Sequence, residues 1–195
     1  MSSKNIYANT AAEYESGNLL TKSKIKALVS LSFNEAIKRL FAYGFIDNDN
    51  QNIDMIINAQ IHSLIDFIKD YSPSVELLKF LLSRFYNQDA KTTILGISSN
   101  TDYQHLLIGL DDFDIEKNYQ EIEKQNAKRV GLDFDDEENL LLYLNKHKAD
   151  FLRFTPFVRF FYARWYQIKN IRYILICLQN GLVPDLAKLW SIDHD

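Results

Sequence analysis

Apolar residues recur at spacings of three and four through almost every window of this sequence, and the residues that would interrupt such a pattern are scarce. Six glycines and three prolines serve 195 positions. Sheets built from short strands and tight turns need more of both, so the chain is confined to helices. The clearest window is 52–71, where Ile53, Ile57, Ile61, Leu64 and Ile68 fall on one helical face and Gln60, Lys69 and Asp70 lie opposite. A second helix over 75–95 carries Leu78, Leu81, Leu82 and Phe85, with Pro73 placed for a helix start. Earlier, short helices are predicted over 6–15, ending near Gly17, over 25–29, and over 33–43, stopped by Gly44.

Periodicity lapses between Ser98 and Phe113, a polar start followed by an apolar Leu106-Leu-Ile stretch, which reads as a long connection with a short buried piece. Helices return over 114–130 and 136–148, separated by Gly131. A long helix then runs from Pro156 to Gln179 and closes at Gly181, and a last short one covers 184–190. The expected fold class is all-α: helical bundles with short connections. Residues 1–97 and 114–195 form two halves around the 98–113 connection. They suit a pair of related three- or four-helix bundles and are equally compatible with one packed domain.

With 47% hydrophobic and 25% charged residues there is apolar surface enough for a sizeable core. A single cysteine, Cys177, excludes an internal disulfide and a cysteine-rich zinc site, which fits a reducing compartment. It sits amid Ile174, Leu175, Ile176 and Leu178 and reads as a small buried residue. The first residues lack the apolar core of a signal peptide, and no run approaches the roughly 18 apolar residues of a membrane span. The expectation is a chain neither exported by that route nor inserted in a bilayer.

Charge is segregated. Residues 111–138 hold eleven acids against four bases, whereas 151–182 hold Arg153, Arg159, Arg164, Lys169 and Arg172 and no acid. Two readings are open: the segments are neighbours that neutralise each other, or one of them docks a partner of opposite sign. Arg172 shares a helical face with Phe161, Trp165 and Ile168, so it either forms an ion pair inside the bundle or anchors a partner chain. Arginine interleaved with aromatics is also the pattern of a platform for single-stranded nucleic acid. Aromatics at helical spacing are more often core, and an acidic chain with a pI near 5.6 is a poor phosphate binder, so no nucleic-acid partner is expected.

The catalytic inventory is thin. His62, His105, His147 and His194 are far apart in sequence, and no glycine-rich phosphate loop, nucleophile elbow or paired-histidine metal motif occurs. Neither a metal nor a cofactor is expected. The Asp135-Asp-Glu-Glu138 run suits the positive N-terminal end of a helix.

Specific residues then suggest a family. Gln167-Ile-Lys-Asn-Ile-Arg-Tyr-Ile-Leu-Ile-Cys-Leu-Gln-Asn-Gly-Leu182, followed by Val183-Pro-Asp-Leu-Ala-Lys-Leu-Trp190, resembles the C-terminal signature of the C (or d) subunit of V-type ATPases. Residues 7–20, ending in Leu19-Leu20, and Ser32-Phe-Asn-Glu-Ala-Ile-Lys-Arg-Leu40 resemble the opening helix, Leu-Leu turn and Glu-Ala-Ile helix of that family. Gln167 stands where the family has an acid, and Asp89 where it has an asparagine. By this resemblance the chain is a shortened member, lacking one helical bundle. The resemblance implies a non-catalytic central-stalk subunit, peripheral on the cytoplasmic face of a membrane. It would link rotor-shaft subunits to the membrane rotor ring and transmit torque during proton or sodium transport. Arg159, Arg164, Lys169 and Arg172 are the expected partner-binding residues. Two rival readings stand beside it: a diverged helical protein–protein interaction adaptor, and an enzyme with an undetected carboxylate or histidine site.

Overall fold

The computed structural model describes residues 3–49, 52–111 and 113–191. Among them the chain forms eight α-helices, no strand and two 3-10 turns. The helices are α1 (Ser3–Ser16), α2 (Lys22–Leu28), α3 (Phe33–Ala42), α4 (Ile53–Tyr71), α5 (Val75–Ser99), α6 (Tyr119–Val130), α7 (Glu137–Lys146) and α8 (Thr155–Gln179). The protein is all-α.

Short polar side chains set most helix starts by accepting a backbone N–H otherwise left orphaned in the first turn. Thr21 caps α2, Asn52 caps α4, Ser74 caps α5, Asn118 caps α6 and Asp136 caps α7. Ser32 and Glu35 form a reciprocal capping box at α3. Glu137 and Glu138 occupy the first turn of α7, as the acidic run predicts. At α8 the cap comes from elsewhere. The Asn9 side chain, fully buried on α1, accepts the Phe157 N–H at 3.1 Å and donates to the Phe151 and Arg153 carbonyls at 3.1 and 2.6 Å. One asparagine thus fixes where the last helix begins and ties it to the first.

Several boundaries differ from the sequence reading. The helix expected over 25–29 starts at Lys22 because Thr21 caps it. The helix expected over 75–95 continues to Ser99, with Gly96 in its interior. An added Cβ at Gly96 would lie 2.0 Å from the Tyr103 ring, so the following connection packs directly on the helix backbone there. That connection runs on past Phe113 to Asn118, with a 3-10 turn at Gln104–Leu106. The helix expected over 184–190 contracts to a 3-10 turn at Leu186–Lys188.

Helix α8 is the axis of the molecule. Buried residues occur all round it, including Phe157, Val158, Phe161, Tyr162, Ile168, Ile171 and Leu175, as expected of a helix enclosed by others. It packs most extensively on α1 and α4, and also on α2, α3 and α7, while α5 pairs mainly with α6. A single apolar cluster runs from Ala8 to Leu175, so the two halves of the sequence share one core. Each fully buried large side chain in it contributes about 1.5–3 kcal/mol of transfer free energy. Aromatic rings knit the core: Phe67 stacks on Phe157 at 5.6 Å, and Phe85 meets Phe161 and Trp165 edge-on at 6.1 and 5.2 Å.

Candidate functional site

The segment 167–190 closes on itself at one side of α8. Gln167, buried, donates its amide N–H to the Leu20 carbonyl at 3.1 Å and accepts from Arg164 Nη1 at 2.9 Å. Asn170, also buried, donates to the Trp190 carbonyl at 2.9 Å and accepts the Trp190 N–H at 2.8 Å. This pair of bonds holds the chain after Leu189 against the helix and explains why helical structure stops at Lys188. The Tyr173 hydroxyl accepts the Asp185 N–H at 3.0 Å.

Lys169 stands among three rings, with its ammonium 5.4 Å from Trp165, 5.6 Å from Tyr166 and 5.2 Å from Trp190. Burial pulls its pKa below the ordinary lysine value, with Glu137 acting in the opposite direction. The neighbouring Tyr166 hydroxyl is pushed the other way, first by burial and then by the Glu137 carboxylate it meets.

These contacts frame a cleft of about 620 Å³ between α2, α8 and residues 186–191. Lys22, Lys26 and Arg159 contribute its cations, Tyr166, Gln167 and Asn170 its buried wall, and Trp190 its rim; among the described residues no acid lines it. Three cations lining one cleft favour an acidic group there over a neutral or basic one.

The four basic residues singled out on α8 do not share a surface. Arg159 borders this cleft, and its Nε donates to Asn145 Oδ1 at 3.2 Å. Arg164 is largely buried on another side of the helix, donating to the Gln60 and Gln167 side-chain oxygens beside the Phe45 ring. Lys169 is enclosed by its rings. Arg172 is half-buried and forms no ion pair among the described residues, so the internal pair considered from the sequence is not made within them.

The acidic segment reaches a residue that the sequence reading passed over. Arg84 on α5 lies 3.0 Å from Glu137 through Nη1 and 3.1 Å from Glu123 through Nε, with its guanidinium 4.7 Å from the centre of the Tyr162 ring. The signal was available: Arg84 lies between Leu81 and Phe85, one turn from Phe80, the same arginine-on-an-apolar-face pattern noted for Arg172.

Cys177 is buried. His62 and His147 join no group of three or more metal-ligating side chains among the described residues, while the His105 side chain and His194 lie outside the description. No family model, curated protein or solved structure matches the chain.

Proposed function

We propose that this chain is a non-catalytic central-stalk subunit of a V-type rotary ATPase, linking rotor-shaft subunits to the membrane rotor ring. One observation carries the reading. Sequence segments that separately resemble that family, the Leu19-Leu20 turn and 167–190, meet at the cationic cleft, joined by the Gln167–Leu20 and Asn170–Trp190 hydrogen bonds. Residues far apart in the chain are thus held in one place. The physical demands of the role agree with the rest of the molecule: a torque-bearing part needs a continuous core, and the core here runs through both halves. No described helix is long and apolar enough to cross a membrane; in this reading attachment is through partner subunits, on the cytoplasmic face. Lys26, which lines the cleft, joins Arg172 as a residue offered to an acidic partner surface.

The test is affinity purification of the tagged chain from gently solubilised membranes, with amine cross-linking at low and high salt. Cross-links from Lys22 and Lys26 to a shaft or ring subunit, fading as salt rises, are expected. Recovery with unrelated proteins alone would overturn the assignment. It would support the second reading, a helical adaptor, which the exposed apolar residues Ile94, Leu95 and Ile97 at the end of α5 favour.

A further inference from the structure

A different cleft, of about 510 Å³, lies between the end of α1, α2, the end of α3, α4 and α8, and Arg164 forms part of its lining. Arg164 is largely buried, yet forms no ion pair among the described residues. Its guanidinium has two amide oxygens, Gln167 Oε1 at 2.9 Å and Gln60 Oε1, and the face of Phe45 at 5.1 Å. Amides and rings satisfy N–H donors but carry no net charge, so the opposing charge on this largely buried cation comes from the Glu15 carboxylate, which acts on it without a direct ion pair. Burial lowers its pKa, and the Glu15 carboxylate opposes the shift without cancelling it.

The arrangement is fixed in advance. Gln60 donates its own N–H to the Phe45 carbonyl at 2.6 Å, and Gln167 donates to the Leu20 carbonyl at 3.1 Å. Each amide therefore has to present its oxygen to Arg164, and neither can turn without losing a bond. A second cation, Lys24, lines the same cleft with its ammonium 4.9 Å from the Tyr43 ring centre. The one acid in the lining among the described residues, Glu15, accepts from Asn18 Nδ2 at 3.1 Å and acts on Arg164 through its charge alone, with no direct ion pair. Leu64, Phe67 and Phe160 supply an apolar wall.

We propose that this cleft is a binding site for a small organic carboxylate, its charge received by Arg164 and Lys24 and its apolar body laid against Phe67 and Phe160. The forked guanidinium matches a carboxylate, and the apolar wall selects against a bare inorganic ion. The site is separate from the α2–α8 cleft and stands whether or not the chain serves a rotary ATPase.

Benzoate is the probe, titrated into the full chain and followed by amide chemical shifts, with benzyl alcohol as its neutral counterpart and inorganic phosphate as the bare anion. Benzoate is expected to give saturable shifts at Gly44, Ser63 and Leu64 and to bind about tenfold more tightly than benzyl alcohol, the effect of one charge-assisted contact. Arg164→Lys, which keeps the charge and loses the fork, weakens benzoate by about tenfold. Because that substitution is buried, two surface changes carry the test if it fails to fold: Lys24→Ala weakens benzoate, and Glu15→Gln strengthens it by removing a like charge. Lys26→Ala, in the other cleft, leaves it unchanged. The proposal is overturned if benzoate gives no saturable shifts there, if benzyl alcohol or phosphate binds as well, or if Lys24→Ala in the folded chain has no effect.

Discussion

Arg84 and Arg164 are the same residue type, both largely enclosed by helices, and the fold treats them oppositely. Arg84 meets two carboxylates and the face of Tyr162. Burial works against its charge, but Tyr162, Glu123 and Glu137 together outweigh it and the guanidinium is held above its ordinary pKa. Arg164 bonds to amide oxygens and lies over the face of Phe45, and the charge of Glu15, which makes no direct pair with it, is too weak to offset burial, so its pKa falls. The first arginine is a neutralised cross-brace joining α5, α6 and α7. The second is satisfied in hydrogen bonds and has no direct ion pair among the described residues, only the weaker pull of Glu15, which leaves capacity for an anion. Burial and hydrogen-bond satisfaction therefore do not by themselves distinguish a structural arginine from a receptive one; the charge of its neighbours does.

The largest expected effect tests the structural side. Arg84→Met leaves Glu123 and Glu137 facing an apolar wall without their shared cation. The cost is about 3 kcal/mol, the low end for a broken buried pair, because the partners are 24% and 42% exposed. Urea unfolding measures it, and adding Glu123→Gln and Glu137→Gln should restore part of the loss. Arg164→Met is expected to cost less, about 2 kcal/mol, since it removes donors from two amide oxygens but breaks no direct ion pair. If Arg164→Met proves as costly as Arg84→Met, the distinction between the two arginines fails.

Much of this was legible in the sequence, and the failures have physical causes. Helix type followed from periodicity, and caps such as Ser32 and Asp136 follow from short-range hydrogen bonding that any local window contains. Residues 114–118 kept an apolar residue at helical spacing, Ile115, but Asp114 Oδ1 accepts the Glu116 N–H at 3.0 Å and its own N–H goes to the Tyr119 hydroxyl at 2.9 Å. Those local bonds compete with a helix, and α6 waits for Asn118. The end of the chain was misread for a long-range reason: the bonds between Asn170 and Trp190 are made across the fold. The basic residues of α8 were grouped because they share a helix. Arg159, Arg164 and Lys169 are five residues apart, however, and each such step turns about 140° around the axis, so they walk around it. Arg84 shows in the sequence only as an arginine on an apolar face; its partners Glu123 and Glu137 are brought to it by the α5–α6 and α7–α8 packing, which no local window contains.

Asp89 supplies the smallest effect and sharpens the comparison from the anionic side. It is 1% exposed on α5, and its two oxygens accept the N–H groups of Ile108 at 2.8 Å and Gly109 at 3.2 Å, fixing the apolar piece of the connection. Burial raises its pKa above the usual 3.8, with the backbone donors of Ile108, Gly109 and Leu110 and the nearby His62 opposing. Like Arg164, it is a charge held by dipoles without a salt-bridge partner, and burial again prevails. For a carboxyl whose folded pKa exceeds its unfolded one, the folded chain binds more protons between the two values. Its contribution to stability is then greatest below pH 3.8 and is lost as pH rises through the raised value. Asp89→Asn cannot titrate. The stability difference between wild type and this variant, from urea unfolding at successive pH values, should therefore move against wild type as pH climbs out of the acid range. A difference that moved toward wild type would mean that the backbone donors outweigh burial, and that the connection makes a better counter-charge than the amides around Arg164.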